Sequence, residues 1–291
     1  MMRDLYLVGV LKAQRVNLLT NDYVAGLPSP LAFLGLADLV ARQLGLEPWS
    51  ARVLPILHSV HISSGRTKPE MEPKSKAFSP IETPEDMVGA VEVSLLVHMP
   101  GCPGEAFLRE RILGKRIAGG VIQSDSFFVK AVTPDGSALR GARRGYAMVV
   151  PEQLERRFIT SGDRTPEQPG LRRIADLLYP QERPEGFGWI VPTAVGYRLL
   201  ENPNEVPKRS FTRSKSIPHV YAEPVLGIVE LISVRNPRLT SLSMEEMDRL
   251  LWSWDARGEW ILGHPLYHQE PAAPSVSSAV PAFSANPVPA A

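Results

Sequence analysis

The sequence predicts an α+β fold whose first half runs β-α-β-β-α-β, and three observations predict it. Val- and Leu-rich alternating segments occupy residues 5–19, 52–62 and 88–99, apolar residues recur at helical spacing between Pro30 and Gly45, and breaks rich in Pro, Gly, Asn and Asp separate the runs. With 291 residues, 44% hydrophobic and 22% charged, the chain suffices for one large domain or two small ones around a substantial core. Its 28 prolines are about twice the usual share, so rigid corners carry much of the architecture.

The first strand, LYLVGVLKAQRVNLL (5–19), ends in the turn signal TND. It feeds AGLPSPLAFLGLADLVARQLG (25–45), where Pro28 and Pro30 disfavour helix before them, Ser29 can cap, and Pro30 suits the first helical position. Leu31, Leu34, Ala37 and Ala41 then carry an apolar stripe to Gly45. RVLPILHSVHI (52–62) reads as the second strand, the charged, proline-marked residues 63–86 as a long loop, and VGAVEVSLLVHM (88–99) as the third strand. GEAFLRERILGKR (104–116) reads as a helix, IAGG (117–120) as a turn, and VIQSDSFFVKAV as the closing strand. That order is the ferredoxin-like, split β-α-β unit, whose sheet face is the RNA platform of RRM-like domains.

Residues 1–150 are therefore expected to form an RRM-like domain, and residues 151–269 a C-terminal α/β extension with long basic loops. Beyond Gly145 come a strand at YAMVV, helices near 151–158 and 170–179, and the strand GWIVPTAVGYRLL from Gly188. A basic loop at 204–219, the apolar PVLGIVELISV and a last helix, SMEEMDRLLWSW, capped by Ser243, complete the extension. The Ala/Pro/Ser stretch 270–291 lacks the means to bury a core and is expected to be a disordered tail.

A net charge of +1 excludes a globally basic protein and leaves local clusters as carriers of any polyanion site. The single cysteine, Cys102, excludes internal disulfides and a multi-thiolate zinc site and fits a reducing cytoplasm. With no 18-residue apolar run and no cleavage pattern after LYLVGVL, a cytoplasmic location without membrane contact is expected. His58 and His61 lie three apart on a strand and so point to opposite faces, while His264 and His268 are split by Pro265, so no metal site is expected. No nucleophile elbow, phosphate-binding loop or Rossmann fingerprint appears, and no cofactor is expected. His58, His61 or His219 beside basic loops could serve a metal-independent nuclease. Packing or RNA contact without cleavage is the expected role.

Local basicity joined to aromatic side chains is the informative signal. The loop NEVPKRSFTRSKSIPHVY places Lys208, Arg209, Arg213 and Lys215 around Phe211, with His219 and Tyr221 beyond and Glu205 as opposing charge. Cations neutralise phosphates while rings stack on splayed bases, at about 1 to 3 kcal/mol per base, so this composition suits single-stranded nucleic acid. Two further clusters are GRTK, with Arg66 and Lys68 followed by Lys74 and Lys76, and RGARRG, with Arg140, Arg143 and Arg144. Trp252, Trp254 and Trp260 exceed what a short helix and strand need, and part of that surface is expected to meet a partner, ordinary core tryptophans being the alternative.

Four motifs in order, GLPSPLAFLGLADLVARQLG, VEVSLLV at 91–97, KRIAGGVI at 115–122 and GWIVPTAVGYRLL at 188–200, resemble the second-Csy-protein family, the Cas-five class of type I-F CRISPR surveillance complexes. The resemblance spans roughly residues 10–260, with the Ala/Pro tail and the short middle region as departures. It implies an RRM-like fold that holds the five-prime handle of the CRISPR RNA and does not cut it. It also implies partners: the large Csy subunit (Cas-eight class), the backbone Csy subunit (Cas-seven class), and target DNA met through the complex in antiviral defence. In such a subunit the corner Gly26, Pro28, Ser29, Pro30 lies beside the RNA, where a residue without Cβ and free helix N–H groups suit phosphate. Gly119 and Gly120 have the same double reading, as a turn or as a close backbone approach to the handle. Alternatives left open are a repeat-RNA endoribonuclease of the same class and a stand-alone RRM-like module.

Overall fold

In the computed structural model, residues 4–21, 24–63, 67–74, 77–84, 87–124, 126–151, 169–183, 185–206, 209 and 219–265 are described. Three strands form the centre: β1 (Leu5–Asn17), β4 (Arg52–Ile62) and β7 (Val88–His98), with β7 antiparallel to both neighbours. A short hairpin, β2 (Leu19–Asn21) and β3 (Val24–Ala25), and the helix α1 (Pro30–Gln43) separate β1 from β4. The helix begins where its cap residues dictate, with the Leu31 N–H donating to Ser29 Oγ at 3.2 Å and Pro30 in the first turn. It ends in paired bonds, Gly45 N to Arg42 O at 3.1 Å and Leu46 N to Ala41 O at 2.9 Å. Part of the expected loop 63–86 is instead a separate hairpin, β5 (Thr67–Lys74) and β6 (Ala77–Pro84). Each strand of an isolated pair keeps one free edge, which tolerates the prolines that made the segment look irregular.

Both outer edges of the central triplet are shared end to end. On β1, Ala13 and Gln14 pair with β9 (Gly120–Ile122), and Tyr6 to Gly9 pair with β10 (Phe128–Ala131), while β8 (Arg116–Ile117) lies beyond β9. On β4, Val53 pairs with β14 (Trp252–Arg257), and Ile56 and Leu57 pair with β11 (Tyr146–Val149). From β14 the ladder runs through β15 (Trp260–Pro265), β12 (Trp189–Leu199) and β13 (Ala222–Ser233) to β11, which returns to β4. Six strands therefore close a ring within an eleven-stranded antiparallel sheet.

The fold is mostly β, and not the small α+β, ferredoxin-like (RRM-like) core expected from the order of the first segments. The physical reason is the edge of β4, whose N–H and C=O groups would otherwise be unpaired. Strands after Gly145 fill that edge and enlarge the sheet. The expected last helix divides accordingly: α5 (Met244–Leu250) keeps the Ser243–Glu246 capping box, and the Trp-Ser-Trp that follows opens β14. The remaining helices are α2 (Glu105–Ile112), α3 (Pro169–Leu178) and the single-turn α4 (Pro237–Thr240); the helix expected near 151–158 and the stretch 270–291 lie outside the described residues.

Alternation along the strands gives the sheet two cores. Leu11, Val53, Val91, Val93, Leu95 and Val97 pack on one face with α1 and α2, while Leu5, Leu7, Leu54, Ile56 and Leu96 pack on the other. The second core is covered by Ala138 and Leu139 of a 3-10 turn (Gly136–Gly141) and by Met247 of α5. Trp252 stands at the fork where β14 and β11 share β4. It is 1% exposed, and its indole N–H donates to the Met148 carbonyl at 2.7 Å, giving that oxygen a buried donor beside the fork. Trp252→Phe should lower stability by about 1 to 3 kcal/mol by orphaning this carbonyl, and Trp252→Ala by about 3 to 5 kcal/mol. Urea denaturation of the three proteins checks the order.

Candidate nucleic-acid interface

The residues singled out in the sequence fall in several places. At the corner before α1, Pro28 and Pro30 are buried and Gly26 and Ser29 half-buried. A Cβ on Gly26 would lie 2.5 Å from Thr20 Oγ1, and the Leu27 carbonyl accepts from Thr193 Oγ1 of β12 at 3.4 Å. Close packing against β2 and β12 thus suffices to account for a glycine there. The IAGG stretch is a two-residue hairpin turn: Ile117 pairs with Gly120, and Ala118 and Gly119 both have positive φ, +44° and +84°. A Cβ on Gly120 would lie 2.6 Å from the Gln14 carbonyl oxygen and 2.8 Å from Val16 N, so β9 meets β1 backbone to backbone.

The second core covers only half of its sheet face. Farther along the same strands the residues turn polar: Glu92 and Ser94 follow the alternation that buries Leu96, and Lys12 stands opposite Glu92 on β1. Glu92 accepts from Lys12 Nζ at 3.2 Å through one oxygen and from Arg143 Nη1 at 2.5 Å through the other. These bonds, Arg143 first, hold its carboxyl below the usual range. Two cations on one carboxylate leave a local excess of positive charge. Phe128 and Lys130, opposite Gly9 and Leu7, share this face by register and are exposed, as are Gln14 and Arg144.

The connector that carries Arg143 and Arg144 is fastened by its carbonyls. The Arg235 guanidinium donates to Leu139 O (3.2 Å), Arg140 O (3.2 Å) and Ala142 O (2.7 Å), and Val234 N donates to Gly145 O at 3.1 Å. His58 is the third fastening. Its Nδ1 lies 2.9 Å from Arg144 O and its Nε2 2.8 Å from Ser94 Oγ. Burial is the largest influence on this ring and pushes its pKa down.

The basic loop is the tip of the long β12–β13 hairpin, closed by the bond from Leu200 N to Tyr221 O at 2.9 Å. Arg209 lies 4.1 Å from the Tyr221 ring centroid and pairs with Glu201, whose second oxygen accepts the Tyr221 N–H at 2.8 Å. Glu201, just before the loop, therefore shares in neutralising Arg209, although the sequence of the loop itself offers Glu205. His219 is half-buried at the same base. Lys208, Phe211, Arg213, Lys215 and Arg66 lie outside the described residues, and Lys68 is on β5, apart from the main sheet.

Residues 172–262 match the family model of the CRISPR-associated protein Cas_Csy2. That stretch, less than half of the chain, is similar to the Cas_Csy2 family. No curated protein matches the chain. The matched span holds β12, β13 and β14 and the start of β15, strands of the ring that closes on β4. Among the described residues, no helix is long and apolar enough to cross a membrane.

Phe128 escaped the sequence reading, yet a signal was there. Adjacent residues on a strand face opposite sides, so of two consecutive phenylalanines one is exposed; Phe127 is 2% and Phe128 42% exposed. The three tryptophans separate: Trp252 is core, Trp254 meets the exposed Trp49 edge-on at 5.2 Å, and Trp260, 39% exposed, lies 5.4 Å from the Arg198 guanidinium.

Gly120→Ala should destabilise the RNA-free protein by about 1 to 3 kcal/mol through backbone overpacking, and Gly119→Ala by about 1 to 2 kcal/mol through its left-handed φ. Equilibrium unfolding without RNA checks both; unchanged stability would return these glycines to a purely ligand-facing role. The lowered pKa of His58 also has a sign. The unfolded chain takes up this proton near the ordinary value of 6.5 and the folded protein only below it, so this contribution to stability is whole above 6.5 and is lost as pH falls through the folded pKa. His58→Asn should flatten that part of the acid limb when unfolding free energy is measured between about pH 5 and 8.

Proposed function

We propose that this chain is a non-catalytic, RNA-binding subunit of the Csy complex that holds the five-prime handle of the CRISPR RNA. One observation carries the reading: the open half of the central sheet face carries Lys12 and Arg143 on Glu92 and, by register, Lys130 next to an exposed Phe128, with the exposed Arg144 following Arg143 in the chain, in a protein whose net charge is only +1. Cations of that density neutralise phosphates, and a bare ring beside them stacks on an unpaired base. The base of the 200–221 loop, with Arg209 packed on Tyr221, supplies a second stretch of the same chemistry. In this reading the large Csy subunit and the backbone subunit are its neighbours, and target DNA is met through the complex.

His58 is poorly suited to cleave RNA, because both ring nitrogens are engaged inside the protein and burial disfavours its protonated form. The assembled complex, titrated with handle RNA across a salt series, tests the reading. Lys12→Ala and Arg144→Ala should each flatten the slope of log affinity against log salt by about 0.7. Phe128→Ala should cost about 1 to 3 kcal/mol with the slope almost unchanged, and the RNA should be recovered uncut with or without divalent metal. Wild-type affinity and slope in all three variants would remove the RNA from this face, and specific cleavage lost in His58→Ala would make the chain a nuclease.

A further inference from the structure

The segment joining the 3-10 turn to β11 is held by several hydrogen bonds near the open face, and they come from different parts of the fold. Arg235 and Val234, just after β13, hold the carbonyls of Leu139, Arg140, Ala142 and Gly145. The Arg144 carbonyl is held from the central sheet itself, by His58. The ladder between β4 and β7 shifts register between Leu57 and Ser59, and His58 is the extra residue. Such bulges re-aim a side chain.

The fit leaves no slack. A Cβ on Gly145 would lie 2.6 Å from His58 Nδ1 and 2.5 Å from Leu57 O, so the connector touches β4 directly. A carbonyl oxygen can only accept, which puts the proton on Nδ1; Nε2 of the neutral ring then accepts from the Ser94 hydroxyl, on a residue with no exposure. From this connector Arg143 reaches Glu92, while its side chain keeps 54% of its surface open.

We propose that His58 is a positioning residue for RNA binding: by tying the Arg144 carbonyl to Ser94 of β7, it fixes the connector so that the Arg143 and Arg144 side chains stand at the open face before the RNA arrives. The inference rests on the RNA-binding reading above. A cation on a loose loop loses its freedom when ligand binds, whereas one on a fastened connector has lost much of it on folding, so the fastening appears as affinity.

Two substitutions divide the ring's two bonds. His58→Asn places its amide near the Nδ1 position and keeps a donor for Arg144, whereas His58→Gln places it near Nε2 and keeps Ser94 alone. In the assembled complex, His58→Gln should weaken handle-RNA binding about tenfold with a shallower salt slope, and His58→Asn by no more than about twofold. In the free full-length chain, trypsin should cut after Arg143 or Arg144 faster in His58→Gln than in wild type or His58→Asn. Equal cutting of both variants overturns the fastening, and faster cutting of His58→Gln at wild-type RNA affinity overturns its role in binding. The double variant Arg143→Ala, Arg144→Ala separates the two claims. If it binds RNA as the wild type does, the reading of this face as the RNA site fails, while the tryptic comparison still decides whether His58 fastens the connector.

Discussion

The architecture depends on one hydrogen-bonding edge. The buried stretch of the outer side of β4 is shared, and no single strand takes it: β14 takes Val53 and β11 takes Ile56 and Leu57. Two strands on one edge must diverge, and divergence opens a wedge. Trp252 occupies that wedge and donates to the Met148 carbonyl. From this joint the two strands run apart, and β15, β12 and β13 bridge them into a ring. The stretch that matches the Cas_Csy2 model thus covers most of what turns a simple sheet into this fold.

Much of the local structure was legible because local chemistry set it. The Ser29–Pro30 start and Gly45 end of α1, the alternation of β7 and the Ser243 capping box all depend on neighbours within a few residues. The ring was not legible, because pairing of β4 with β14 joins residues about two hundred positions apart and leaves no periodic trace. The proline-marked loop concealed a hairpin because an isolated pair has free edges that accept proline. Trp252 and Trp254 looked helical because the stretch from Ser243 to Leu250 is helical, and the change of period falls within one residue of Leu251.

The candidate site was legible by charge and not by geometry. Arg143 and Arg144 were visible as a cluster, but their partners were not: Glu92 lies fifty-one residues away and His58 eighty-six. Gly26 and Gly120 stood out as residues a ligand could approach, and the neighbours found there are Thr20 and the backbone of β1. Close approach is what glycine permits, and a sequence does not say what approaches.

The ends of the main sheet limit how this chain joins others. Among the described residues, one side curls into the ring through β11, with residues 59–62 at the end of β4 running past it, and on the other side the terminal pieces are β8 and β10, of two and four residues. So short a border offers little template for strand addition from a second polypeptide, a route by which open sheets stick to one another and precipitate. At that end of the sheet the described residues present a neighbour with side chains on the faces and hairpin tips, where charge and shape can discriminate, more than with the sequence-blind ladder of the backbone.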